Sequence, residues 1–139
     1  MYFFLPKVPL EMAGPSRWER FWERKAKDAK NKADQYNHYE SIKQNGILDP
    51  LITYFNGKLF VVEPGQTRWC ILKSLGVEYA FYMAKVEQNE LQLFNKQFRG
   101  IERKEIFTLE EASKYFNHTK ISDHQGAGYL RRRWFKENV

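Results

Sequence analysis

A single cysteine, Cys70, is the only thiol in these 139 residues. One thiol excludes an internal disulfide framework and points to a reducing cytosol. With no second cysteine, and with His38, His118 and His124 lacking ligand-pair spacing, a zinc site has no basis. Asp123-His124 reads as a polar loop pair rather than an acid–base site. No apolar run approaches the ~20 residues that cross a bilayer. The opening Met1-Tyr2-Phe3-Phe4-Leu5 lacks a basic stretch and stops at Pro6, so a signal peptide is not expected. Internal repeats and low-complexity tracts are missing too. Acid is in the minority: 17 Asp and Glu stand against 23 Lys and Arg, a net charge of +6.

What is present is enough for one folded unit. The 42% hydrophobic content supplies a core, and the length suits one compact domain with an appendage. Basic charge together with 17% aromatic residues suits a nucleotide or nucleic-acid partner, through phosphate attraction and base stacking. The same aromatics would serve equally well inside the core. Composition does not separate these readings.

The most informative stretch is Val61-Val62-Glu63-Pro64-Gly65-Gln66-Thr67-Arg68-Trp69. An apolar β-branched run stops at Pro-Gly, and a helical pattern begins after it. A helix start of this kind presents unpaired N–H groups and the positive end of the helix dipole, which together favour an anion. Upstream, Ser41-Ile42-Lys43-Gln44-Asn45-Gly46-Ile47 ends a helix, with Gly46 at the left-handed cap and Asp49-Pro50 blocking continuation. The spacing then predicts strands over 51–55 and 58–63, joined as a hairpin through Asn56-Gly57. Trp69, Leu72 and Leu75 recur at helical spacing before Gly76, and 79–84 reads as a further strand.

The flanks are less regular. An edge strand over residues 2–5 is expected, since Pro6 and Pro9 break the apolar run. Ser16 is placed as the N-cap of a helix opened by Gly14-Pro15. Its apolar stripe of Trp18, Trp22, Ala26 or Ala29, Ala33 and Tyr36 faces away from Arg17, Arg20, Arg24 and Lys27. Leu91 to Phe94 fits a strand or a short helix. Thr108 and Glu111 form a capping box for another helix. The tail carries Arg131, Arg132 and Arg133 beside Trp134 and Phe135, which suits either a phosphate backbone or a docked final helix.

The order of these elements resembles the ParB/sulfiredoxin-like superfamily over roughly residues 36–86. The residues that carry the resemblance are Ser41, Ile42, Gly46, Ile47, Pro50, Leu51, Gly65, Arg68, Leu75 and Gly76. It implies an α/β (α+β) fold: a small mixed sheet with flanking helices and a basic helical C-terminal extension. Residues 1–86 would form the core with its N-terminal helix, and 87–139 the extension packed on it. In that superfamily the Gly-x-x-Arg turn holds nucleotide phosphates, CTP in ParB and ATP in sulfiredoxin and a free-serine kinase. Carried over, Gly65, Gln66, Thr67 and Arg68 would bind phosphate, with Arg68 exposed and neutralising its charge. Thr67 would ligate phosphate or Mg2+, and Glu63 would be the nearest carboxylate for a metal or base role. Arg131, Arg132 and Arg133 would contact nucleic acid.

The departures are specific. ParB turns read Gly-Glu-Arg-Arg where this chain has Gly65-Gln66-Thr67-Arg68. The downstream Glu-Asn-x-x-Arg of ParB has its nearest counterpart in Phe94-Asn95-Lys96-Gln97-Phe98-Arg99, displaced by one residue and without the acid. Sulfiredoxin needs a cysteine inside the turn, whereas Cys70 follows Arg68. The resemblance therefore implies a stand-alone domain of the type carried by phages and mobile elements, in a host cytoplasm. The ligand expected is Mg2+ with a nucleoside triphosphate, CTP or ATP, or else DNA. Two alternatives stand beside it: a Mg-dependent nucleotide hydrolase, phosphotransferase or nuclease, and a non-catalytic scaffold binding a host protein.

Overall fold

The computed structural model describes residues 1–15, 19–32, 38–62 and 66–115. Within them the chain runs β1 (Tyr2–Pro9), β2 (Ala13–Pro15), α1 (Glu19–Lys32), α2 (His38–Asn45), β3 (Leu51–Phe55), β4 (Phe60–Val62), α3 (Gln66–Ser74), β5 (Tyr79–Lys85), α4 (Leu91–Gln97), β6 (Lys104–Ile106) and α5 (Leu109–Ser113). The six strands form one mixed sheet in the order β2-β4-β3-β5-β1-β6. Pairing is parallel for β2/β4 and β3/β5 and antiparallel elsewhere. The expected fold class, a mixed sheet with flanking helices, is what the structure has.

Both faces of the central strands are apolar, which is why β3 and β5 read as continuous hydrophobic runs rather than alternating ones. On one face Leu5, Leu51, Phe55, Phe60, Tyr82 and Ala84 pack with Ala26, Ala29, Ile42, Trp69 and Phe94 from the helices. On the other, Ile52, Met83 and Ile106 pack with Ala112 of α5 and with Tyr2, Phe4 and Tyr115. Much of the aromatic surplus is spent here. Phe60 lies 4.8 Å from Phe98, Phe3 lies 5.2 Å from Phe94, and the Arg103 guanidinium caps Phe94 at 4.3 Å.

Local signals set most boundaries. Gly46 at φ 70° and Gly76 at φ 73° take the left-handed conformation that ends α2 and α3. At Gly76 the amides of 76 and 77 bond back to Lys73 and Leu72 carbonyls at 3.1 Å each, closing the helix. Thr108 Oγ1 accepts from the Glu111 amide at 3.1 Å, as the capping box requires. The Glu111 carboxylate reaches back to Phe107 N, one residue beyond the expected cap amide. The segment from Leu91 resolves as helix α4.

Four expectations are corrected. β1 is no edge strand of residues 2–5: it runs to Pro9 between β5 and β6. β6 pairs only with Tyr2–Phe4, and a register irregularity separates Leu5 from Val8, so Pro6 gives up no ladder bond to β6. Gly14-Pro15 closes strand β2 rather than opening a helix, and the helix is described from Glu19 onward. Ser16, Trp18, Ala33 and Tyr36 lie outside the described residues. The hairpin turn is longer than Asn56-Gly57. Asn56 Oδ1 accepts from the amides of Lys58 and Leu59 at 2.9 and 3.0 Å, so β4 starts only at Phe60.

The fourth correction concerns Arg68. It is 1% exposed and the largest of the fully buried side chains, not an exposed cation at the helix start. Nη1 donates to the Asp49 carbonyl at 2.8 Å and Nη2 to the Pro50 carbonyl at 3.1 Å. The planar fork thus ties α3 to the turn that leads from α2 into β3. Lysine has no such geometry.

Two expected outcomes follow from this packing. Hydrogen bonds from a charged donor are each worth about 1.5–3 kcal/mol. Arg68→Ala should therefore destabilise the fold by about 3 kcal/mol or more, lowering Tm by roughly 10 °C. Arg68→Lys should recover less than half of that in a thermal unfolding series; a wild-type Tm for the alanine variant would contradict the clamp. Cys70 is buried, and burial pushes its thiol from the ordinary 9.0 up to about 12, with Glu23 adding to the rise. Burial raises the Tyr82 hydroxyl as well. Groups with folded pKa values above their unfolded ones stabilise the fold fully below the unfolded value and lose that contribution as pH rises toward the folded one. Stability should accordingly fall from about pH 9 toward 12, and Cys70 should resist thiol reagents at pH 8 until denaturant is added.

Candidate functional site

Strand β4 is buried at all three of its positions, and it carries the chain toward the first turn of α3. The helix begins at Gln66, where the sequence pattern turns helical after Pro64-Gly65. Gln66 and Thr67 are each partly exposed there. The first amides of an α-helix have no intrahelical acceptor, and the helix dipole adds positive potential at the same place. The Thr67 hydroxyl makes no hydrogen bond among the described residues. An N–H cluster with a hydroxyl beside it suits an oxyanion. Glu63, Pro64 and Gly65 lie outside the described residues, so the structure places neither the first half of the turn nor the proposed Glu63 carboxylate.

Arg68 belongs to this region in a different role from the one expected. Its guanidinium is committed to the Asp49 and Pro50 carbonyls, so it fixes where the first turn of α3 sits rather than reaching out to a ligand. Sequence reasoning took Asp49-Pro50 only as a helix stop. The structure makes Asp49 the one buried carboxylate among the described residues, 3% exposed, with its carbonyl held by Arg68. The only signal for that was an acid placed directly before the proline.

The opposite end of α3 has other business. Lys73 Nζ bonds Glu19 Oε1 at 2.9 Å, lies 3.7 Å from Glu23, and sits 5.1 Å from the Trp69 ring centre. The bond to Glu19 holds the Lys73 ammonium above its ordinary pKa. A groove of about 770 Å³ runs along this side, between Leu10, Gly14, Trp69, Lys73 and Tyr79. It does not include Gln66 or Thr67, and it is a separate feature from the helix start.

Arg131, Arg132 and Arg133 lie outside the described residues, as do His118, Asp123 and His124. No group of three or more His, Cys, Asp or Glu that would hold a metal is found among the described residues. No described helix is long and apolar enough to cross a membrane.

No family model matches this chain, and no curated protein matches it. Among solved structures it is similar to the crystal structure of the C-terminally truncated chromosome-partitioning protein ParB from Caulobacter crescentus complexed with CTP-γ-S. Identity is 18%, with 78% of this chain covered and a TM-score of 0.39. The chain spans 59% of that ParB chain. So distant a likeness leaves the chemistry of the site to the residues themselves.

Proposed function

We propose that this chain binds a phosphate-bearing ligand, a nucleotide in the first instance, at the junction of β4 and α3. The observation that carries the reading is the start of α3: partly exposed Gln66 and Thr67 open the helix that follows buried strand β4 in the chain, and the buried Arg68 fork ties that first turn to the Asp49 and Pro50 carbonyls. The backbone amides that open α3 and the Thr67 hydroxyl hold phosphate oxygens. Arg68 positions them and contributes its charge from behind the turn. The resemblance of Gly65-Gln66-Thr67-Arg68 to the ParB/sulfiredoxin-like turn supports the same ligand class. DNA phosphates are the alternative occupant of this turn.

Magnesium fits such a ligand without a dedicated protein cage, because Mg2+ retains several waters and is bound chiefly through substrate phosphates. Thr67 is the described residue whose oxygen is available to it. Asp49 is held too far inside the fold to be assigned as a ligand. Binding, not turnover, is the function proposed.

The test is calorimetry with CTP, ATP and GTP in the presence of magnesium. One of the three should bind, and Thr67→Val, which keeps the shape and removes the hydroxyl, should weaken it roughly ten-fold or more with Tm unchanged. Release of inorganic phosphate in the same mixture would move the reading to a hydrolase. If no nucleotide binds, or Thr67→Val binds as wild type does, the junction is not the site.

A further inference from the structure

Helix α1 sorts its charges by side. Ala26, Ala29 and the half-buried Trp22 mark the face packed on the fold. On one flank Glu19 and Glu23 turn toward α3, where both meet Lys73. Lys30, on the same flank, covers the Tyr39 ring of α2 at 5.7 Å. Two of the helix's three acids are thereby drawn to the inner flank, and Asp28 is not. Opposite the packed face, Arg20, Arg24 and Lys27 follow one another at spacings of four and three, all exposed. At ~100° per residue they fall within about 60° of one another. None of the three forms an ion pair among the described residues.

Beside this stripe, on the flank away from Glu19 and Glu23, lies an aromatic ring that the core does not use. Phe21 is 40% exposed, with Trp22 edge-on at 4.9 Å and the Lys25 ammonium 5.5 Å from its centre. The outer side of α1 therefore shows Arg20, Arg24, Lys25 and Lys27 against Asp28 alone, together with an accessible ring. From Arg20 to Lys27 the helix rises roughly 10 Å. A stripe of that length lets its three cations meet neighbouring phosphates of one strand.

We propose that the outward face of α1, Arg20, Arg24 and Lys27 with Phe21, is a docking surface for single-stranded nucleic acid. The three cations track the phosphates and Phe21 stacks on an unpaired base. A cation stripe alone would serve any polyanion; the ring decides for a single strand, because a duplex offers no free base face to it. This surface is distinct from the start of α3 and does not depend on a ligand there.

The test measures binding of labelled oligothymidylate by the full chain across a range of salt concentrations. Arg20→Ala/Arg24→Ala/Lys27→Ala should keep its helical circular dichroism, since alanine favours helix. It should lower the slope of log K against log salt by about 2, at ~0.7 for each phosphate no longer neutralised. A charge-matched control, Lys43→Ala/Lys58→Ala/Lys96→Ala, should lower the slope by far less. Phe21→Ala should weaken oligothymidylate roughly ten-fold and leave duplex binding as it was. Asp28→Asn removes the one opposing charge and should tighten binding, a gain that damage to the fold would not produce. The proposal is overturned if the two triple variants lower the slope equally, or if the α1 triple variant binds as wild type does. It is equally overturned if duplex DNA or vesicles containing phosphatidylserine compete better than oligothymidylate and Phe21→Ala has no effect.

Discussion

The buried fork of Arg68 on the carbonyls of Asp49 and Pro50 is the contact on which the candidate site depends. A guanidinium removed from water must have its donors met, because an unmet buried donor costs its desolvation outright. Two backbone carbonyls, 19 and 18 residues back in sequence, receive Nη1 and Nη2 at 2.8 and 3.1 Å, while Nε is buried without a hydrogen bond among the described residues. In doing so they fix the turn after α2 against the first turn of α3. The first turn of α3 is thus held from below by a side chain of its own helix. Preorganised amides bind an anion more tightly than ones that must first be ordered.

The sheet explains how so basic a chain keeps its charge on the surface. Apolar residues on both faces take helices on one side and α5 on the other, and the phenylalanines close the space between them. Cations that come near this core are either forked to carbonyls, as Arg68 is, or laid flat on rings, as Arg103 is on Phe94. The rest remain outside, and on α1 Arg20, Arg24 and Lys27 share one side. Charge and aromatic content therefore have different destinations here. The aromatics mostly build the interior, and most of the charge stays at the surface.

Features fixed by local chemistry were legible from the residues. Gly46 and Gly76 end helices because only a residue without Cβ takes their conformation cheaply. The capping hydroxyl of Thr108 and the start of α3 at Gln66 are likewise local. Features made by distant partners were not. Ala13-Gly14-Pro15 has no strand pattern of its own and becomes a strand by pairing in parallel with Phe60–Val62. Pro6 looked like a strand end, yet β6 stops pairing before it, so the missing N–H is not missed. The site was legible as a helix start and illegible in its arginine. A charged side chain beside a glycine turn reads as solvent-facing until the carbonyls that receive it are in view.

The central claim is that phosphate is held by the amides at the start of α3, on a scaffold fixed by Arg68. Its most direct measurement is a two-dimensional 15N–1H NMR titration of the full chain with CTP, ATP and GTP in magnesium buffer. The account requires one nucleotide to shift the amides of residues 65–68 strongly and saturably. Neighbouring shifts should appear at Asp49, while the amides of α4 and β6 stay in place. Saturable shifts confined to α1 or to the Trp69–Lys73 groove, or no shift at residues 65–68 with any nucleotide, would contradict it.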